Sequence, residues 1–312
     1  MRVAFVGGTK FVGPVAVRLL LEAGHEVAVA HSGEHEPPGD GLASADHLHG
    51  SREEMLAAGG LVERWRPDAL VDTFAGGASA SKAAALRGCA ERCGVGQIVA
   101  ISSLDVYHHC VEAGLGDGSG AVALPSEPVP LREDVSALRD RPYPGAHEGH
   151  DNVAMEAELR GFDGRVTALR PGTIYGPHPD TREGFIVAKV RRGERRLELP
   201  DGGVQLFHRV AVERVGRAVV AALELAPDGF WACNVVDPVD RDYASLAGAI
   251  GRLLDWEWEP VSVPFSSSEH PWHVTHAVLA SDERLRHVLG VTEPDPDAAL
   301  EECVRWLWGR SC

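Results

Sequence analysis

The chain has 312 residues and carries 30 Lys and Arg against 46 Asp and Glu, a formal charge of −16 at pH 7 with neutral histidines, so a nucleic-acid partner is not expected. Apolar residues make up 44% and charged residues 24%, which describes a globular chain with ample core and not a disordered one. No run approaches the ~18 apolar residues of a membrane span, and residues 1–30 lack the regions of a signal peptide, so a cytoplasmic protein with no membrane partner is expected.

The first element is the most informative. Val3-Ala4-Phe5-Val6 is an apolar run, Gly7-Gly8-Thr9-Lys10-Phe11-Val12-Gly13 a glycine-rich turn, and Val15, Val17, Leu19, Leu20 and Leu21 follow at helical spacing. Glycines let the backbone approach a pyrophosphate, and the helix N-terminus presents unpaired N–H groups and a partial positive charge to it. A second buried strand is predicted over 26–30. This β-α-β unit opens a Rossmann-type doubly wound parallel sheet. Further strands are predicted over 46–49, 69–74, 97–102, 166–170 and 231–236. Helices are predicted over 52–64, 79–93, 151–159 and 213–225.

Residues 112–145 are rich in Gly, Pro, Ser and charge without a sustained period, and read as a long surface excursion. The tail from 240 onward carries Trp256, Trp258, Trp272, Trp306 and Trp308, with helical patterns over 243–254 and 296–307. The expected organisation is a dinucleotide-binding core over 1–173, to which 208–237 returns, and a smaller substrate lobe from 174–207 and 238–312. Cys89, Cys93, Cys110, Cys233, Cys303 and Cys312 form no Cys-x-x-Cys pair, which favours small core residues over disulfides or a zinc ribbon.

Five segments in order resemble the extended and atypical short-chain dehydrogenase/reductase superfamily of the NAD-dependent epimerase/dehydratase type. They are Gly7 to Gly13, Phe74-Ala75-Gly76, the strand running from Ile98 through Ser102-Ser103-Leu104-Asp105-Val106-Tyr107, Leu169 to Pro177, and Val210 to Ala218. The resemblance implies a nicotinamide dinucleotide held by Gly7, Thr9, Lys10, Phe11, Val12, Gly13, His31, Ser32, Ser51, Phe74, Ala75 and Gly76. It also implies a homodimer paired through helices 79–93 and 151–159. The second strand ends in His31-Ser32 where an acidic residue usually binds the ribose, and Lys10 adds a cation, so NADP is expected ahead of NAD.

In the resembled family a Ser, a Tyr and a Lys four residues after the Tyr cooperate in proton and hydride transfer. Ser103 supplies the first. The chain has only Lys10, Lys82 and Lys189, none on the expected helix. One register places Glu148 and Asn152 at the Tyr and Lys positions; the other uses Tyr143 with His147. Pro142 and Pro144 flank Tyr143 and favour the first. Asp105, two residues after Ser103, is a further acid/base candidate. His108, His109, His147 and His150 are expected near the same cleft, but without a recognised ligand motif no metal is expected.

The expected activity is that of an NAD(P)-binding enzyme acting on a small or sugar-like hydroxyl or carbonyl substrate, as reductase, epimerase or dehydratase with a non-standard acid/base set. A redox-neutral lyase, cyclase or isomerase on the same scaffold, and a non-catalytic nucleotide-binding protein, remain open because fold does not fix function.

Overall fold

A computed structural model describes residues 1–35, 42–74, 76–115, 123–143, 146–238, 240–267 and 274–310. Its strands are β1 (Arg2–Val6), β2 (Glu26–His31), β3 (Asp46–His49), β4 (Ala69–Asp72), β5 (Gln97–Ile101), β6 (Arg165–Pro171), β7 (Thr173–Tyr175), β8 (Arg196–Pro200), β9 (Arg209–Ala211), β10 (Phe230–Val235) and β11 (Glu259–Val263). The helices are α1 (Val12–Glu22), α2 (Arg52–Leu56), α3 (Leu61–Trp65), α4 (Ala80–Cys93), α5 (His108–Glu112), α6 (Asn152–Leu159), α7 (Arg182–Arg191), α8 (Val212–Leu225), α9 (Tyr243–Leu253), α10 (Glu283–His287) and α11 (Pro296–Gly309).

Seven strands form one parallel sheet in the order β10-β6-β5-β4-β1-β2-β3. The β3-β2-β1-β4-β5-β6 run is the doubly wound order whose ligands bind beyond the carboxyl ends of the strands, at the reversal between β1 and β4. Both faces of the central strands are covered, which is why β1, β2, β4 and β5 read as mainly apolar runs, whereas the edge strand β3 is polar and partly exposed. Val3, Phe5 and Val29 pack with Ala16 and Leu20 of α1 and Val215 and Val219 of α8. Ala4, Val6 and Leu70 pack on the other face with Leu86 of α4 and Met155 and Leu159 of α6.

Two local departures from the sequence reading have identifiable causes. The helix predicted over 52–64 is two short helices, because Gly59 takes φ 71° and a Cβ on Gly60 would stand 2.4 Å from the Met55 carbonyl oxygen. The helix predicted from 151 starts at Asn152, with Asp151 as its cap accepting the Val153 and Ala154 N–H groups at 3.0 and 3.2 Å. Glu148 therefore lies outside the helix, exposed in a turn whose Gly149 has φ 75°.

A smaller lobe gathers α7, α9 and α11 with the β7-β9 and β8-β11 pairs. Tyr175, Ile186, Leu197, Leu246, Ile250, Cys303 and Leu307 form its core, with Trp258 and Trp306 against it. Trp308 is 45% exposed, and Trp272 lies outside the described residues. Among the described residues the 112–145 excursion is not all surface: Leu131 and Arg139 are buried, and Leu131 bridges to Ala280.

Candidate active site

The turn after β1 is set by close contacts. Gly7 has φ 78°, and a Cβ on Gly13 would fall 2.2 Å from the Gly8 carbonyl oxygen, so α1 can start only against a bare glycine. Phe11 is held at φ 45° ahead of the helix, a strained value for a residue with a side chain, and its ring rests 4.5 Å from that of His178. A pocket of about 490 Å³ opens beside this turn, lined by Gly7, Thr9, Lys10, His31, Ser32, Glu34, His35 and Arg52, among others.

Gly7, Thr9, Lys10, His31 and Ser32 thus border one pocket. Val12 and Gly13 turn toward the core and the turn itself. Ser51 is the cap of α2: its hydroxyl accepts the Glu54 N–H at 3.2 Å, and the Glu54 carboxylate accepts the Ser51 N–H at 3.1 Å. The pocket wall there is Gly50 and Arg52 instead. Arg52 donates through Nη1 to Asp72 Oδ1 at 3.0 Å, with a second contact from Nη2 to Oδ2. Burial pushes the Asp72 carboxyl up, opposed by the Arg52 charge.

A second opening, an open cleft of about 790 Å³, lies over the carboxyl ends of β4 and β5 and is lined by Phe74, Gly76, Ser103, Asp105, His147, His150 and Asn152, with others. Phe74 is held at φ 48°, its N–H donating to Asp72 Oδ1 at 2.7 Å. Ala75 lies outside the described residues.

Asp105 is the centre of the cleft. It is 5% exposed. Asn152 Nδ2 donates to both of its oxygens at 3.0 and 3.1 Å, and His150 Nε2 stands 3.3 Å from Oδ2. The Ala78 N–H donates to His150 Nδ1 at 3.1 Å. The ring proton of a neutral His150 therefore sits on Nε2, facing the carboxylate. Arg139 closes the far side, with Nη2 3.7 Å from Asp105 Oδ1 and Nε donating to the Asp105 carbonyl at 2.8 Å. Ser103 Oγ accepts the Asp105 N–H at 3.1 Å, which leaves its hydroxyl hydrogen for another acceptor.

The other candidates are placed less centrally. Glu148 does not line the cleft. Tyr143 packs its ring edge-on to His150 at 6.5 Å and beside the Arg139 guanidinium at 6.0 Å. No hydrogen bond joins its hydroxyl to Ser103 among the described residues. Burial pushes the Tyr143 phenol up and the Asp105 charge adds to the rise. His108 faces Glu112 at 3.6 Å, and buried His109 contacts the Ala277 carbonyl at 2.9 Å, so of the four expected histidines only His147 and His150 reach the cleft.

A buried network supports the floor. Arg170 donates to Glu156 at 2.9 and 2.6 Å and to the Tyr107 hydroxyl at 3.0 Å, Ser102 donates to Glu156 at 2.7 Å, and Tyr107 donates to Asn234 Oδ1 at 2.7 Å. Burial pushes the Tyr107 phenol up to about 12, so it stays a neutral donor here. Sequence reasoning missed Glu156, Arg139, Arg52 and Glu34. A Glu inside the apolar pattern of α6 was a signal for Glu156; Arg139 sits in an aperiodic stretch that gave none.

No family model matches the chain. A curated relative, the chloroplast stem-loop binding protein of 41 kDa b from Arabidopsis thaliana, is 23% identical over 310 residues, covering 93% of this chain and 74% of the relative. Among solved structures, the UDP-glucose 4-epimerase of Thermotoga maritima with UDP-glucose superposes with a TM-score of 0.73 at 18% identity, covering 98% of each chain. The UDP-glucose 4-epimerase of Bifidobacterium longum in complex with NAD+ and UDP gives 0.74 at 16%, over 99% of this chain and 98% of that one. The dTDP-glucose 4,6-dehydratase of Streptomyces venezuelae with NAD bound gives 0.71 at 21%, over 98% and 96%. The chain thus shares its fold with these two epimerases and this dehydratase.

Proposed function

We propose that the protein is a nicotinamide-dinucleotide-dependent enzyme acting on a hydroxyl or carbonyl of a sugar nucleotide or similar small molecule, with Asp105 and His150 in place of the usual Tyr and Lys. The observation that carries this reading is the Asp105 carboxylate in the cleft, oriented by His150, Asn152 and Arg139 beside the Ser103 hydroxyl.

The dinucleotide fits the first pocket on the contacts of the turn. Gly7 gives the backbone a close approach, Gly13 lets α1 begin at the turn, and Lys10 offers an exposed cation for phosphate. His31 and Ser32 bring no negative charge to the ribose end, and NADP is preferred over NAD on that basis. Glu34 opposes the preference, so Glu34→Gln is expected to tighten NADP several-fold. When bound, the cofactor supplies the hydride donor or acceptor.

The chain's own residues move the proton. The Ser103 hydroxyl donates to the substrate oxygen. Asp105 takes or returns the hydroxyl proton, and the His150 Nε2–H and the Asn152 amide hold its carboxylate as the charge changes. Asn152 cannot supply the positive charge that lowers a tyrosine pKa, and the Tyr143 phenol is pushed the wrong way for a base.

The test is product analysis by mass spectrometry and NMR with UDP-glucose and dTDP-glucose, with and without NADP+ or NAD+. Formation of an epimer, keto sugar or reduced sugar that needs the dinucleotide supports the proposal; loss of that product in Asp105→Asn ties it to the cleft. The missing Tyr and Lys favour a second reading, a redox-neutral isomerase or lyase using the same Asp105 and His150. Turnover that is unchanged when the dinucleotide is stripped identifies it.

A further inference from the structure

The parallel register of β2 and β3 sets His31 opposite His49 and places His47 two residues earlier on β3, on the same side of the sheet. Three imidazoles therefore gather at the carboxyl ends of two adjacent strands. One nitrogen from each lies within 4.8 Å of the other two. Their rings meet edge-on, with centroids 4.6 Å apart for His31 and His49, 5.2 Å for His31 and His47, and 6.0 Å for His47 and His49. No part of the acid/base chemistry above uses His47 or His49.

The hydrogen bonding already resembles that of a ligand set. His47 Nε2 contacts the Leu42 carbonyl at 3.1 Å. A carbonyl only accepts, so the His47 proton is on Nε2 and its Nδ1 lone pair points inward, the second-shell arrangement that orients metal-bound histidines. His47 Nδ1 stands 3.0 Å from His31 Nε2. Two imidazole nitrogens on a tetrahedral zinc, each ~2.0–2.1 Å from the ion, are ~3.4 Å apart. This pair is therefore nearly at ligand spacing, and a ring nitrogen of the exposed His49 lies within 4.8 Å of both.

We propose that His31, His47 and His49 form a binding site for a borderline divalent transition-metal ion of the zinc, cobalt or nickel class. Imidazole nitrogen selects these ions over magnesium or calcium, which take oxygen ligands. Three protein donors leave a fourth tetrahedral position for water. The proton balance is specific. The Gly33 N–H donates to His31 Nδ1 at 3.1 Å, so the His31 proton sits on Nε2 in the metal-free protein. Ligation through Nε2 moves that proton to Nδ1 and releases the Gly33 N–H. Gly33, at φ 83°, begins the turn whose Glu34 and His35 line the pocket beside β1, so the ion acts on that wall. The site stands on the histidines alone and does not depend on the activity proposed above.

The experiment uses the untagged full chain, stripped with a chelator and titrated with cobalt(II) chloride. One equivalent per chain with intense tetrahedral visible bands, bleached by zinc chloride, is expected. His49→Gln, at an exposed position, and His47→Gln should each weaken cobalt binding by ~10-fold or more, while the exposed His287→Gln should leave it unchanged. Absence of stoichiometric binding would overturn the proposal. So would unchanged binding in both His47→Gln and His49→Gln, because the ion would then sit among the other histidines of the 15 in the chain.

Discussion

At the scale of single residues, the cleft separates three carboxyl and phenol candidates by environment. Asp105 is nearly enclosed and held by an amide, a ring nitrogen and a guanidinium, whereas Glu148 is exposed in a turn and Tyr143 is kept protonated by burial. Asp105→Asn is expected to lower turnover by about 10²-fold or more, the scale of general acid/base catalysis. Tyr143→Phe and Glu148→Gln should change it little, and steady-state kinetics of the three variants ranks them; a larger loss in Tyr143→Phe would reinstate a phenol mechanism. A second residue-scale effect concerns pH. Burial holds the imidazoles of His25, His178 and His276 below the usual histidine value. The unfolded chain then takes up these protons more readily, so their contribution to stability is present above ~6.5 and is lost as pH falls through the lower folded values. Urea midpoints should drop between about pH 7.5 and about pH 5.5, and His178→Gln should flatten part of that slope.

At the scale of elements, the glycine turn and the buried pair under the cleft bear the most weight. Gly13→Ala would drive a methyl into the Gly8 carbonyl, now 2.2 Å from the built Cβ position. It should cost ~1–3 kcal/mol of stability and abolish dinucleotide binding, read together by thermal melting and calorimetry. Glu156→Ala leaves the 2%-exposed Arg170 charge without its partner and should cost ~3–5 kcal/mol, whereas Glu156→Gln keeps an acceptor for Ser102 and should cost less. The central parallel strands were legible because burial on both faces makes β1, β2, β4 and β5 mainly apolar runs. The split of α2 from α3 was partly written in Gly59-Gly60. The start of α6 turned on whether Asp151 would act as a cap or a first-turn residue, a choice made by two backbone N–H groups that no hydrophobic period records. Asp105 and Asn152 were readable from their place after β5 and in α6. Arg139 and the alignment of His31 with His49 depend on contacts between segments far apart or on strand register, which a linear pattern does not carry.

For the whole molecule, the sheet brings the pocket after β1 and the cleft after β5 to the same edge while the smaller lobe packs around its own core. The neighbouring helices α4 and α6 leave Ala80, Ala84, Ala85 and Ala157 exposed, small residues that permit close helix approach. We propose that a second copy pairs across them. Light scattering should then give twice the 33.4 kDa chain mass, and Ala84→Glu should return it to that of one chain; a single-chain mass for the unaltered protein would exclude the dimer. The proposed function requires a nicotinamide dinucleotide in the pocket after β1. Isothermal titration calorimetry of the full chain with NADP+ and then NAD+ tests it most directly: one nucleotide per chain with NADP+ the tighter is the predicted result, and no heat of binding from either at millimolar concentration would contradict it.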